Sequence, residues 1–199
     1  MSTRGAYGFI IDGQEKIAFN HWDSYLSGLG VDVFKFIKSK SIKKLKEIAL
    51  NIQLVDDSTK PTKAQIKDCL SKITSDYPDE IKKSKRWSEL LSECKIESYD
   101  NGLKYMLDNH DFLIDSLFCE WAYIINLDTK VLEIYQGFNN GRNKNGRYAK
   151  KIAKKNTNSI YGDIYYGVGL IVDIPLNVLK KMSVNEFLDH INKFVPRED

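Results

Sequence analysis

Asp12-Gly13 stands between two short apolar runs, Ala6 to Ile11 and Lys16 to Trp22, and this dipeptide constrains the chain more than any other. A two-residue turn that follows the twist of its strands needs positive backbone angles at both central positions, which Asp-Gly adopts at low cost. The chain therefore begins as a β-hairpin inside a sheet. A turn here also sets residues near position 4 opposite residues near position 21.

Beyond the hairpin, Gly28 and Gly30 break the strand and a helix starts near Asp32, with Val33, Phe34 and Ile37 along one side. Leu45, Ile48, Ala49 and Ile52 continue with the spacing of one helical face, and the lysines between (Lys35, Lys38, Lys40, Lys43, Lys44 and Lys46) form its solvated outside. Thr62 and Gln65 fit a capping box ahead of Ile66, Cys69, Leu70 and Ile73. Trp87, Leu90, Leu91 and Cys94 suggest a third helix, and Leu103, Tyr105, Met106 and Leu107 a short fourth. The Tyr77-Pro78 step separates the second from the third, because a residue before proline resists helical geometry.

From Phe118 the period changes. Trp121 to Leu127, a turn at Asp128-Thr129-Lys130, and Val131 to Tyr135 read as a second hairpin whose first strand is central. Asn139 to Gly146 is a loop by composition, Tyr161 to Asp173 a fifth strand stopped by Pro175, and Ser183 with Glu186 caps a closing helix bearing Phe187, Leu188, Ile191 and Phe194. Strands grouped apart from a block of helices imply the α+β class. The expected fold is an antiparallel sheet built from two hairpins plus a fifth strand, with segregated helices and a layered sandwich as one arrangement of them.

With 199 residues, 42% of them hydrophobic, and no break in composition, the chain is read as a single domain over 1–199. No run approaches the ~18 to 20 apolar residues that span a bilayer, and the opening lacks the basic-then-apolar pattern of a signal peptide, so no membrane partner and a cytoplasmic location are expected. Cys69, Cys94 and Cys119 are widely spaced and read as buried thiols, and His21, His110 and His190 lack ligand spacing. Neither a metal nor a cofactor is implied. The net charge of +3 hides an asymmetry: seven cations and no acid lie between Arg142 and Lys155, which leaves −4 on the rest. A local basic segment on a mildly acidic body favours a small anion over duplex nucleic acid.

Met1-Ser2-Thr3-Arg4-Gly5, then Asn20-His21-Trp22-Asp23-Ser24-Tyr25 and Gly28-Leu29-Gly30, resemble a family of uncharacterised phage and prophage proteins. That family begins M-[GS]-T-R-[GA] and carries [NR]-[HQ]-[WF]-D-[GS]-Y-P-x-G-x-G. The match covers the first thirty residues, and Glu120 to Tyr123 and Ile134 to Phe138 look more loosely like its later strands. Leu26 stands where a proline is usual. The resemblance implies a phage or mobile-element origin and a location inside the host cell, and it carries no activity or catalytic residue.

Two chemistries fit these residues. In the first, the chain binds a small anionic ligand, with a nucleotide second messenger of host defence suggested by the phage context. Arg4, His21, Trp22, Asp23 and Tyr25 would form one wall of a cleft and Arg142, Lys144, Arg147 and Tyr148 another, because arginine forks match phosphate oxygens and aromatic rings stack on bases. In the second, Met1 is removed and Ser2 acts as an N-terminal nucleophile of an amide hydrolase, its own α-amine serving as base and Asn20 holding an oxyanion. A third reading is a protein inhibitor of a host enzyme, acting through the lysine-rich helices. Small-ligand binders often complete their pockets at symmetric interfaces, so a homo-oligomer is one expected form.

Overall fold

The structure is a computed structural model that describes residues 3–74, 81–92, 94–152 and 164–195. Its centre is the hairpin of β1 (Gly5–Ile11) and β2 (Gln14–Asn20), antiparallel with Gly5 opposite Asn20 and Ile11 opposite Gln14. Asp12 and Gly13 both take positive φ, 51° and 72°, as the tight turn requires. A second hairpin, β5 (Trp121–Asn126) with β6 (Val131–Gln136), joins the first through β1 and β5, and β7 (Gly169–Pro175) closes the sheet in the order β2-β1-β5-β6-β7.

The β1–β5 pair is parallel, with Gly5 beside Trp121 and Ile10 beside Asn126. This corrects the expected all-antiparallel sheet: the hairpins meet through strands running the same way, and the helical block between them supplies the crossover that parallel strands need. As expected, β5 is the middle strand. Both β1 and β5 are buried along nearly their whole length, which is why they read as continuous apolar runs.

Tyr7, Phe9, Tyr123, Ile125, Leu132 and Ile134 point to the side covered by helices. Those helices are α1 (Val31–Lys38), α2 (Ile42–Asn51), α3 (Lys63–Leu70), α4 (Trp87–Leu91), α5 (Glu97–Asp100), α6 (Leu176–Leu179) and α7 (Val184–Asn192). The capping boxes at Thr62/Gln65 and Ser183/Glu186 both form, and Phe34 of α1 stacks on Phe187 of α7 with ring centres 4.6 Å apart. Lys16 reaches from β2 into this layer, its Nζ donating to the carbonyls of Ala49 and Ile52 at the end of α2, where cations suit the helix dipole.

The stretch expected as a fourth helix is instead β4 (Tyr105–Leu107), parallel to β3 (Gln53–Val55) in a small second sheet. Gly102, at φ 90°, turns the chain out of α5, and the Lys104 carbonyl accepts from Gln53 N–H. The last strand runs over 169–175 with Pro175 as its final residue, where 161–173 was expected; residues 161–163 and the Tyr77-Pro78 step lie outside the described residues.

On the other side of the sheet, Ala6, Ile10, Ile17, Ala122, Ile124 and Tyr135 are covered by Leu113, Cys119, Tyr148 and Val168 from loops and a short turn. Among the described residues no helix is long and apolar enough to cross a membrane.

Candidate functional site

β2 ends at Asn20 because that side chain bends the chain back. Its Nδ2 donates to the Ser24 hydroxyl at 2.7 Å and to the Trp22 carbonyl, and Asp23 takes a positive φ of 52°. Ser24 is fully buried; its N–H donates to the Thr3 carbonyl at 3.1 Å and its carbonyl accepts from the Tyr123 hydroxyl at 3.1 Å. Leu29 N–H then donates to the Asp23 carbonyl at 2.9 Å, a closure so tight that a Cβ on Gly28 would sit 2.2 Å from that carbonyl oxygen. The interior of the Asn20–Gly30 segment is thus a satisfied polar scaffold. Trp22, Asp23 and Tyr25 are left on its outside, with Trp22 53% and Tyr25 42% exposed.

Between this segment and the residues Ser92 and 94–97 lies a cleft of about 200 Å³, lined among others by His21, Trp22, Asp23, Tyr25, Asp32 and Glu97. A second cleft of about 190 Å³ follows the outer edge of β2 past Phe19 and Asn109 and shares His21 and Ser92 with the first. His21 therefore stands between the two, its ring edge-on to Phe19 at 4.3 Å. The far wall is fixed to the core by the Tyr7 hydroxyl, which donates to the Cys94 carbonyl at 2.7 Å.

No protein-family model, curated protein or solved structure matches this chain.

The walls of the cleft are acidic. Asp23, Asp32 and Glu97 face it together with Lys95 and His21, and among the described residues none of the three carboxylates is joined to a cation. The Cys94 thiol is buried and pushed up to about 11, Cys69 likewise to about 12, and burial also raises Cys119. These thiols are held protonated, as buried sulfur in an apolar interior should be.

Four of the residues expected at the site, His21, Trp22, Asp23 and Tyr25, line this cleft together with Asn20; Arg4, Arg142, Lys144, Arg147 and Tyr148 do not. Arg147 lies against the sheet face opposite the helices, its Nη2 2.5 Å from Glu133 Oε1 and its Nη1 3.7 Å from Glu15 Oε1. Tyr148 is buried there and donates to Glu15 Oε1 at 2.9 Å. The loop that carries them is built on Asn139, whose amide donates to the Asn143 and Gly167 carbonyls and whose Oδ1 accepts from Gly141 and Asn143 N–H. Arg142 and Lys144 are exposed on its outside. The Arg4 guanidinium sits 5.9 Å from the centre of the Phe118 ring, and among the described residues no ion pair joins Arg4 to Asp23. Ser2 lies outside the described residues, and Asn20, offered as its oxyanion partner, has its amide engaged within the turn.

Sequence reasoning missed Asp32, Lys95 and Glu97. Asp32 reads from sequence only as the start of α1, and residues 92–97 arrive from a distant part of the chain with no motif to mark them.

Proposed function

We propose that the chain is a small-ligand binding module and that the cleft beside the Asn20–Gly30 segment is its binding site. One observation carries this reading. The segment commits its buried polar groups to internal hydrogen bonds and leaves two large aromatic side chains exposed above a concave wall, the arrangement of a preorganised recognition surface.

Catalysis is the weaker reading. The Cys94 thiol is held protonated, and the Ser92 hydroxyl donates to the Glu89 carbonyl at 3.1 Å, so neither is presented as an activated nucleophile. The volume of about 200 Å³ falls below the ~300 to 1,000 Å³ of pockets for drug-sized ligands, which favours one head group over a whole dinucleotide. A nucleotide signal would call on Arg142 and Lys144, which lie outside the cleft.

A second reading, a protein that blocks a partner, draws on exposed Trp22, Tyr25, Phe118 and Phe138, which follow or precede strand ends on the same side of the hairpins.

Thermal denaturation against a panel of nucleotides, amino acids and amines tests the proposal. At least one compound should raise the melting temperature of the native chain and leave Trp22→Ala unmoved, through preferential binding to the folded state. A panel that shifts both proteins equally, or neither, overturns it.

A further inference from the structure

We infer that the cleft takes an organic cation, the guanidinium or alkylammonium head of its ligand. This rests on the cleft being a binding site, and it reverses the sign of ligand that the basic loop suggests.

Two features of the wall converge on that chemistry. Trp22 and Tyr25 line the cleft with exposed aromatic side chains, and a cation over an aromatic face is drawn to the ring quadrupole, most strongly for tryptophan. Asp23, Asp32 and Glu97 present carboxylates that no cation of the described residues neutralises, so an incoming positive group meets fixed charge of opposite sign without first breaking an ion pair. An incoming phosphate would instead approach three like charges offset by Lys95 and His21.

The same carboxylates do not form a metal site. Among the described residues no three acidic, histidine or cysteine side chains are grouped as a metal ion requires. Spread carboxylates beside aromatic rings fit a delocalised or multiply hydrogen-bonding cation better than a compact divalent one. The cleft's modest size fits a head group on a short alkyl chain.

The head group could be borne by a free amine or by a basic side chain of a peptide, and the probes separate the two. Agmatine, spermidine, N-acetyl-argininamide and AMP are titrated into the native chain, with melting temperature and tryptophan emission as readouts. At least one cationic probe should bind, AMP should not, and Trp22→Ala should weaken the cation by roughly tenfold. Asp32→Asn combined with Glu97→Gln should weaken it by at least as much while lowering the melting temperature of the free protein by no more than a few degrees, because both carboxylates sit in the first turn of a helix, where they favour its N-terminus, but neither is held in an ion pair among the described residues. Agmatine or spermidine binding alone assigns a free amine; N-acetyl-argininamide binding alone assigns a peptide side chain.

Trp22-dependent binding of AMP, with the cations silent, would overturn the inference and leave the binding site standing. Silence from every probe in the wild type would overturn both. Cation binding that is unchanged in Asp32→Asn/Glu97→Gln would overturn this inference alone.

Discussion

Arg147 crosses one face of the sheet to Glu133, its Nη2 2.5 Å from Glu133 Oε1, and so fastens the 139–152 loop over β6. Glu133 is only 7% exposed, and its other contacts are the Asn126 amide at 2.7 Å and the Tyr135 hydroxyl at 2.7 Å. Partial burial opposes the charge on Arg147, but the Glu133 carboxylate together with the Tyr135 and Tyr148 hydroxyls outweighs it and holds the guanidinium above its usual pKa. Removing the cation strands a buried carboxylate. A fully buried pair broken in this way loses ~3 to 5 kcal/mol, and because Arg147 is 36% exposed the expected cost of Arg147→Met is about 2 kcal/mol, a fall of roughly 4 to 8 °C in melting temperature. Adding Glu133→Gln should recover part of it. Arg147→Lys should not restore full stability, since one ammonium cannot reproduce a fork reaching both Glu133 and Glu15. A melting temperature unmoved by Arg147→Met would mean that the Arg147–Glu133 pair does not anchor the loop.

Asp128, in the turn of the second hairpin, takes both amides of the first turn: Asp12 N–H donates to its Oδ1 at 2.9 Å and Gly13 N–H to its Oδ2 at 2.9 Å. One carboxylate thus holds the ends of β1 and β5 in parallel register. Asp128→Ala should cost about 1 to 2 kcal/mol, and hydrogen exchange at Asp12 and Gly13 should speed up more than at Tyr7 or Phe9 in the middle of β1. Uniform acceleration along the strand would point to global destabilisation instead.

The sequence made some of this legible and hid the rest for identifiable reasons. Asp12-Gly13, the two capping boxes and the apolar runs of β1 and β5 report local rules, and those elements form where the rules put them. The parallel meeting of β1 with β5 is a long-range choice that neither strand's composition records. Tyr105 to Leu107 carries an apolar run too short to separate strand from helix by period alone. The basic run misled for a different reason: composition counts Arg147 as a free cation, whereas tertiary structure sets it on Glu15 and Glu133. At the cleft the near wall was legible, because His21, Trp22, Asp23 and Tyr25 crowd one turn; the far wall around Glu97 had no local signature.

His110 gives the fold a pH dependence of known sign. Its Nδ1 lies 2.8 Å from Asp108 Oδ1 and its Nε2 3.3 Å from Asp111, and the hydrogen bond to Asp108, with burial opposing it, raises its pKa above the ordinary 6.5. A histidine raised in the folded state contributes stability that is fully present below the unfolded pKa and is lost as pH rises through the folded one. The ring is 52% exposed, so the contribution is small. The melting temperature of wild type relative to His110→Gln should therefore be higher at pH 5.5 than at pH 8.5. Proton NMR of the His110 ring should titrate above the free-histidine value, and titration at or below that value would contradict the pairing.

Leu26 and Leu29 test how the segment beside the cleft is built. Leu26 opens the helical turn that follows Tyr25, and Tyr25 is extended, at φ −65° and ψ 168°, the geometry that a residue before proline prefers. The first helical N–H has no partner inside a helix, so a proline at position 26 satisfies the backbone and loses only some packing of a side chain that is 7% exposed. Leu29 is different, since its N–H donates to the Asp23 carbonyl at 2.9 Å. Leu26→Pro should change stability by no more than about 1 kcal/mol and keep the native Trp22 emission, while Leu29→Pro should cost ~3 kcal/mol or more and shift it. Urea unfolding of the two variants side by side decides the matter: equal losses would mean that the Asp23–Leu29 bond does not shape the loop that carries Trp22.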